Sequence, residues 1–306
     1  MIDKFLLFFI KGLCSFPSTI LYGFSDILYF ILFRTIGYRK EIVLANLKNS
    51  FPEKSITEIK HISNKFFQFL ADLIMEGLKI YSISEKELRK RMLITNIEEV
   101  NELYDKGKSV IIVCAHIGNF EYGAQRFTLD AKHQVNTVYK PLSNKTFDDF
   151  LKESRSRFGT NLVPDRKTYE VLKKEKNEGI LSASGLVSDQ APSPRKGYWM
   201  EFLNQDTPVF MGCEKISKMY DLAIVYGEVD RIKRGEYIMD FKVLFENPND
   251  TKPGEITEIF TKIIEESIRR KPELWLWSHK RWKHKMPENL PESQISKKYP
   301  VKSIVV

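Results

Sequence analysis

A histidine and a glutamate stand five positions apart in the hexapeptide 116–121, His-Ile-Gly-Asn-Phe-Glu. An imidazole can take a proton from a hydroxyl group, and a carboxylate can orient the ring and stabilise its charged form. Residues five apart on one helix differ by about 140° in direction, so His116 and Glu121 can meet only if His116 precedes the helix. We predict that Glu121 binds one nitrogen of His116 and leaves the other nitrogen free as a general base.

The residues around this pair supply the loop that such a geometry needs. Residues 110–114 are apolar and rich in β-branched side chains, which is typical of a strand buried on both faces. Gly118 permits a tight turn, and Asn119 is a good N-cap for a helix that runs through Glu121. A carboxylate in the first helical turn is also stabilised in its ionised form by the helix dipole. The sequence therefore predicts a strand, a loop that carries His116, and a helix that carries Glu121.

The rest of the chain alternates between strand-like and helix-like segments. β-rich runs predict strands at 109–115, 135–139, 179–188 and 222–228. Amphipathic or charged stretches predict helices at 53–81, 167–176 and 256–270. This alternation predicts an α/β fold, a mixed sheet flanked by helices, in one catalytic domain at 41–288 that is followed by a tail at 289–306.

Composition restricts the class of protein and its partners. The chain has 306 residues, of which 42% are hydrophobic, so it can bury a sizeable core and is not a disordered segment. Its formal charge of +8 favours an anionic partner, which could be nucleic acid, acidic lipid or an acidic carrier protein. Its three cysteines, Cys14, Cys114 and Cys213, lack C-x-x-C spacing, so we predict neither a disulfide framework nor a zinc cluster. A reduced, cytoplasm-facing compartment fits this pattern.

Residues 1–40 carry a hydrophobic segment that we predict to be a membrane anchor. Its two apolar stretches, 5–10 and 20–33, are separated by Lys11 and Pro17, and each is shorter than the roughly 20 apolar residues of a bilayer span. The apolar region lacks the compact core and small-residue cleavage site of a secretory signal, so we expect it to be retained. An interfacial or half-inserted anchor is the favoured interpretation, and two core helices are the alternative.

The C-terminal region is rich in tryptophan and basic residues. Indole rings often lie at the depth of the lipid headgroups, and cations bind anionic lipid. We therefore predict a membrane-facing role for Trp275, Trp277 and Trp282 and their basic neighbours. A buried tryptophan cluster is the alternative for Trp275 and Trp277. Nucleic acid can bind a surface of similar composition, but the chain has no recognition motif, so we do not predict nucleic-acid binding. His279 and His284 have no third ligand nearby in the sequence, so we predict no metal site.

Five segments resemble, in order and spacing, the motifs of the lipid A biosynthesis lauroyl/myristoyl acyltransferase family, a branch of the glycerolipid acyltransferase superfamily. The first is the His-x-x-x-x-Glu segment at 115–121, which follows a buried strand. The others are Tyr-Lys-Pro-Leu-Ser-Asn at 139–144, Arg-Ser-Arg-Phe-Gly at 155–159, Ser-Asp-Gln-Ala-Pro at 188–192 with Arg-Lys-Gly at 195–197, and Pro-Glu-Leu-Trp-Leu-Trp-Ser-His-Lys-Arg-Trp at 272–282. The resemblance extends over roughly residues 10–285.

The resemblance implies a glycerolipid-acyltransferase-like fold and transfer of a fatty acyl chain from an acyl carrier protein thioester to a hydroxyl of a lipid A precursor. It places the reaction on the cytoplasmic face of the bacterial inner membrane and requires no metal or organic cofactor. His116 would deprotonate the acceptor hydroxyl, and Glu121 would orient His116. The implied substrate-binding residues are Arg155, Asp189, Lys140, Arg157, Asn119 and Arg195. Lys140 departs from the arginine of many members and cannot bind a phosphate bidentately.

Two other functions remain open at this level. An acyltransferase of the same fold could act on another glycolipid, an aminolipid or a lysophospholipid. A non-catalytic membrane-binding protein would use the basic aromatic surface alone. A serine nucleophile is not predicted because the chain has no Gly-x-Ser-x-Gly elbow, and no P-loop is present. For an acyltransferase, we expect a hydrophobic groove that leads away from His116 and binds the acyl chain.

Overall fold

The computed structural model describes residues 2–300, with side chains from Leu6 onward. Met1 and the end of the predicted tail, 301–306, lie outside the described residues. The strands are β1 Met92–Thr95, β2 Val110–Cys114, β3 Gln134–Tyr139, β4 Asn161–Pro164, β5 Ser182–Val187, β6 Tyr198–Phe202, β7 Gln205–Val209, β8 Ala223–Lys233 and β9 Glu236–Phe245. The α-helices are α1 Ile2–Cys14, α2 Ser18–Leu28, α3 Lys40–Ser50, α4 Ile56–Lys79, α5 Glu85–Arg91, α6 Ile97–Asp105, α7 Phe120–Thr128, α8 Lys145–Arg155, α9 Thr168–Glu178, α10 Gly212–Tyr220 and α11 Glu255–Arg270.

A seven-stranded sheet forms the centre of the described chain, in the order β1-β9-β8-β2-β5-β3-β4. Its neighbouring strands run parallel except for the β8 and β9 hairpin, which is antiparallel. Strand β2 lies between β8 and β5 and is almost completely buried, as expected for a parallel strand covered by helices on both faces. The prediction of an α/β fold with a mixed sheet flanked by helices is confirmed.

The strongest sequence patterns correspond to observed elements with small shifts in their ends. The four predicted strands are β2, β3, β5 and β8, and the three predicted helices are α4, α9 and α11. Helix α4 begins after a capping box in which the Ser55 hydroxyl accepts from the Glu58 amide and the Glu58 carboxylate accepts from the Ser55 amide. The edge strands β1 and β4 are only four residues long, too short to give a clear alternation in the sequence.

The N-terminal apolar residues form α1, α2 and a π-helical segment, Tyr29–Thr35, that continues α2. No single helix within residues 2–300 is both long and apolar enough to cross a membrane. Residues 18–35 and 40–50 reach the required length and composition only as a pair, and the two helices are bent by 83° from each other. The anchor at 1–40 therefore stays a prediction.

The two faces of α2 differ in an unusual way. Its inner face combines Leu21, which is 2% exposed, with two buried serines. The Ser18 hydroxyl donates to Glu87 at 2.6 Å, and the Ser25 hydroxyl donates to Asp72 at 2.7 Å. Its outer face carries large apolar side chains, since about half of Ile20 and 56% of Ile27 are exposed. Helices on the surface of water-soluble proteins place most of their apolar side chains inward, so the exposed apolar face of α2 departs from that pattern.

The C-terminal tryptophans contradict one prediction. Trp275 is 2% exposed and Trp277 is completely buried, so these two indoles cannot lie at lipid headgroup depth. Their rings pack edge to face with centroids 4.6 Å apart. Helix α3 fixes this segment, because the side-chain amide of Asn46 donates to the Trp277 carbonyl at 2.9 Å and to the His279 carbonyl at 3.0 Å. The alternative, a buried tryptophan cluster, is confirmed for Trp275 and Trp277.

Candidate active site

The loop between β2 and α7 carries His116, as the sequence predicts. Gly118 makes the turn with a φ of +59°, and a Cβ there would lie 2.7 Å from Val229 Cγ1 and 2.9 Å from the Val229 carbonyl oxygen. Only glycine combines this left-handed backbone with so close an approach to a neighbouring strand. The Asn119 side chain caps α7 by accepting from the Tyr122 amide at 2.8 Å, which confirms its predicted N-cap role.

Asp189 binds the imidazole of His116. Its Oδ1 lies 2.7 Å from His116 Nδ1, and its Oδ2 accepts the His116 backbone N–H at 3.1 Å. The indole N–H of Trp275 donates to the same Oδ2 at 2.7 Å, so both carboxylate oxygens are bonded. Asp189 follows the C-terminal end of β5, beside the end of β2 that leads to His116. A carboxylate fixed in this way orients the ring and leaves Nε2 without a hydrogen-bond partner among residues 2–300.

The structure does not pair Glu121 with the imidazole, contrary to the sequence prediction. Glu121 Oε2 instead accepts from Arg155 Nε at 3.0 Å, and Glu121 Oε1 accepts from Arg155 Nη2. Glu121 lies in the first turn of α7 and Arg155 in the last turn of α8, so a bidentate ion pair joins the two helices. Because Asp189 already occupies His116 Nδ1, Glu121 influences the ring only through its charge.

The charges around His116 oppose the effect of its burial. Burial lowers the pKa of His116, but the charge of Asp189, its hydrogen bond and the charge of Glu121 outweigh burial and raise the pKa above its ordinary value. Burial likewise raises the pKa of Asp189, but the His116 charge and the hydrogen bonds from His116 and Trp275 outweigh it and bring the pKa to about 2. Asp189 therefore remains ionised at neutral pH and makes His116 a stronger base.

A cavity of about 490 Å³ opens beside His116 and will be called the His116 cavity. One face of the central sheet forms its floor, because the lining residues of each strand include alternate positions, whose side chains point to the same face. These positions are Ile112 and Cys114 of β2, Gly185 and Val187 of β5, and Val135, Thr137 and Tyr139 of β3. Helices α7 and α8 form its roof, through Phe120, Glu121, Ala124 and Phe127 of α7 and Asp148, Leu151 and Arg155 of α8. The spacing of these roof residues puts each set on one helix face. The cavity is mostly apolar, and Lys140 and Asp165 are the exposed charged residues among those that line it.

The six predicted substrate-binding residues fall into two groups. Arg155 and Lys140 line the His116 cavity, and Asp189 lies behind His116. The other three lie elsewhere: Arg157 donates to the Ile83 carbonyl at 2.9 Å, Asn119 is completely buried, and Arg195 is exposed. Arg157 serves the C-terminal end of α4, where carbonyl groups lack helical partners. Asn119 uses its side chain on the α7 cap and on Glu76, to which its Nδ2 donates at 2.7 Å.

Sequence reasoning missed Trp275 as a partner of the site. The segment around it also reaches the loop that carries His116, because Ile117 forms an antiparallel bridge with Trp275 and the Gly118 amide donates to the Leu274 carbonyl at 3.1 Å. The three tryptophans in a short basic stretch are the signal in the sequence, but composition alone favours a surface role. A buried indole needs a partner for its N–H, and Asp189 is that partner.

This arrangement can activate a hydroxyl group. Nε2 of His116 can take the proton of a hydroxyl at the cavity entrance, while Asp189 stabilises the imidazolium that forms. Arg155 supplies a positive charge fixed by Glu121, and the apolar part of the His116 cavity can bind a hydrocarbon chain. A general base, a cation and an apolar cavity together suit the transfer of a fatty acyl chain to an alcohol.

Comparison with known proteins agrees with this chemistry. A profile of the bacterial lipid A biosynthesis acyltransferase family matches residues 1–284. The chain is 22% identical over 280 residues to the lipid A biosynthesis lauroyltransferase of Escherichia coli strain K12, covering 90% of this chain and 89% of that protein. It is 22% identical over 256 residues to the palmitoleoyltransferase of the same organism, with 80% and 79% coverage. A Haemophilus influenzae lipid A biosynthesis acyltransferase is 20% identical over 235 residues, with 76% and 72% coverage.

Proposed function

The chain belongs to the bacterial lipid A biosynthesis acyltransferase family and is an acyltransferase, and we propose that it acylates a hydroxyl of a lipid A precursor. The proposed donor is an acyl carrier protein thioester, and the proposed site of action is the cytoplasmic face of the inner membrane. The observation that carries the proposal is the pair formed by Asp189 and His116 at the entrance of an apolar cavity. The net charge of +8 favours an acidic carrier protein and a phosphorylated glycolipid as partners.

In the proposed reaction, His116 acts as the general base. Its Nε2 takes the proton of the acceptor hydroxyl, and the oxygen forms a bond to the thioester carbonyl carbon. The tetrahedral intermediate then collapses, the carbon–sulfur bond breaks, and the imidazolium returns its proton to the leaving thiolate. The products are an ester and the free thiol of the carrier. Asp189 stabilises the imidazolium between the two proton transfers.

Arg155 is the proposed binding group for an anionic part of the acceptor. Glu121 uses Nε and Nη2 of the guanidinium, which leaves Nη1 for a ligand in the His116 cavity. An arginine fixed by a carboxylate loses less side-chain entropy on binding a phosphate than a mobile one. Lys140, exposed near the mouth of the cavity, is the second proposed cation. Because Glu121 fixes the guanidinium of Arg155, its proposed function is to position Arg155, which does not require contact with His116.

The exposed apolar face of α2 supports association with a bilayer. Large apolar side chains are also exposed elsewhere in the N-terminal helices: Phe8 79%, Phe9 65%, Phe30 64% and Ile31 48%, beside Ile27 at 56%. Exposed apolar surface is unfavourable in water and favourable in the hydrocarbon layer just below lipid headgroups. We therefore propose that residues 1–40 form a membrane-bound segment and that residues 41–288 form the catalytic domain beside it. The lipid acceptor would then reach the His116 cavity from the membrane surface.

Acyl transfer by the purified chain tests this function. The chain would be incubated with a lipid A precursor in mixed micelles and with either lauroyl-carrier protein or lauroyl-coenzyme A. Mass spectrometry would then identify the products by their masses. We expect one added acyl group from the carrier-protein donor, and at least about 100-fold less with His116→Ala. His61→Ala, which removes an exposed histidine on α4, serves as the matched control. Full activity of His116→Ala would refute the mechanism, and transfer only to other lipids would refute the acceptor.

A further inference from the structure

Gly185 is an unexpected residue in the middle of a central strand. It lies in β5, where it is paired with Ile112 of β2 on one side and Thr137 of β3 on the other. Glycine weakens a strand interior because it has no side chain to pack and loses more conformational entropy than other residues. Its presence at this position therefore needs a reason that lies outside the strand itself.

Neither backbone conformation nor crowding requires glycine at this position. Its φ is not in the left-handed region, in contrast to Gly118. A Cβ built on Gly185 would have one neighbour within 4 Å, the Asn136 carbonyl oxygen at 3.8 Å, which is an ordinary van der Waals contact. No atom of the roof helix α7 comes within 4 Å of that position. A side chain on Gly185 would therefore extend into the His116 cavity, which Gly185 lines.

The position of Gly185 along the cavity can be compared with the length of a hydrocarbon chain. Gly185 is level with Ile112, which lies two residues before the end of β2 and four before His116, so the two levels are at most about 13 Å apart. An extended chain advances roughly 1.2 Å per single bond, as the three backbone bonds of each residue show. A saturated acyl chain with its carbonyl at His116 would therefore reach Gly185 within about 11 bonds. Beyond Gly185 the cavity continues to Val135.

We propose that Gly185 determines the length of the acyl chain that the enzyme accepts, because the chain passes over its bare Cα between Ile112 and Thr137. This inference rests on the proposed function, since it assumes that the His116 cavity binds the acyl chain. A side chain at residue 185 would close the cavity between its mouth and Val135. Donors of about 12 carbons and longer would then be rejected, while shorter donors would still place their carbonyl at His116.

A graded set of substitutions tests this proposal. Gly185→Ala, Gly185→Val and Gly185→Leu would be assayed with saturated acyl-carrier-protein donors from octanoyl to palmitoyl. We expect the ratio of kcat/KM for lauroyl over octanoyl to fall with side-chain size, by about 10-fold or more for Gly185→Val. Gly77→Ala on α4, which adds a methyl group at a position with nothing within 4 Å, is the matched control and should leave the ratio unchanged.

A binding measurement separates this proposal from the proposed function. Displacement of a fluorescent fatty acid by saturated fatty acids of increasing length needs no turnover, so it applies even if no acceptor is acylated. In folded Gly185→Val, long fatty acids should lose affinity while short ones keep it. An unchanged length preference in both assays, with a normal melting temperature, would overturn the role of Gly185. Absence of transfer by the wild-type chain, with a length-dependent loss of binding in Gly185→Val, would instead refute only the proposed reaction.

Discussion

Asp189 lies 2.7 Å from Nδ1 of His116, although the two residues are 73 positions apart in the chain. This contact assigns the orientation of the imidazole to a residue at the end of β5 rather than to Glu121 in the neighbouring helix. Parallel strands β2 and β5 end at the same edge of the sheet, which is where side chains of an open α/β sheet meet a ligand. The His-x-x-x-x-Glu segment therefore contains one half of the proposed catalytic pair.

Asp189→Asn should reduce turnover and shift its pH dependence. The amide cannot stabilise the imidazolium, so we expect kcat to fall by about 100-fold or more. Asp189 raises the pKa of His116, and its loss should move the acidic limb of the kcat/KM profile to lower pH. A pH-rate profile of both proteins measures the two effects. Asp165→Asn, an exposed carboxylate at the cavity, is the control, and an unshifted limb in Asp189→Asn would contradict the assignment.

Glu121→Gln and Arg155→Lys should impair the same step. Each change breaks the bidentate ion pair, so we expect each to raise KM for the acceptor by about 10-fold, or roughly 1.4 kcal/mol. The double variant should be little worse than either single variant, because residues that act through one contact are not additive. Steady-state kinetics of the wild type, the two single variants and the double variant measure how strongly the two residues are coupled. A fall in kcat for Glu121→Gln alone, independent of residue 155, would favour direct orientation of His116.

Ile27→Asp should weaken binding to vesicles of anionic phospholipid. Ile27 is 56% exposed on the apolar side of α2, and burying such a side chain in lipid stabilises the bound state by about 1.5–3 kcal/mol. We expect at least a 10-fold lower partition coefficient in a sedimentation assay, since the change also introduces a charge. Met219→Asp, 58% exposed on α10, is the matched control. Equal loss of binding in both variants would argue against a specific role of α2.

Glu76→Ala should destabilise the fold around the loop that carries His116. The buried carboxylate accepts from Tyr22 of α2 at 2.7 Å, from Asn119 at 2.7 Å and from Tyr237 of β9 at 2.8 Å. Its removal leaves three donors without their acceptor, so the free energy of unfolding should fall by about 3 kcal/mol or more. Chemical denaturation measures this loss. Gln68→Ala, on an exposed turn of α4, should change it little, and similar stability of both variants would refute the role of Glu76.

Local patterns were sufficient to predict β2, the Gly118 turn and the Asn119 cap, because each depends on residues close in sequence. The partners of the charged residues were not predictable in this way. Glu121 is near His116 in the chain, yet α8 brings Arg155 to it from 34 positions away. The resemblance to a family predicted Asp189 and Arg155 as site residues but gave no contacts between them and the pair at 116–121.

Burial was the second property that local composition could not decide. Trp275, Trp277 and Arg281 stand among lysines, a pattern that is typical of a surface, yet all three are at most 2% exposed. Their environment comes from α3 and β6, which are distant in the sequence. The environment of the α2 serines was equally hidden, since only the tertiary structure shows that they face the carboxylates of α4 and α5.

The contact between Trp275 and Asp189 has a consequence for protein synthesis. Synthesis proceeds from the N-terminal end, so His116 and Asp189 leave the ribosome before Trp275 does. The indole that fixes Asp189 is made 86 residues later than Asp189 itself. A nascent chain that has not reached Trp275 would therefore hold the Asp189 carboxylate, and through it the His116 ring, with one hydrogen bond fewer than the folded protein.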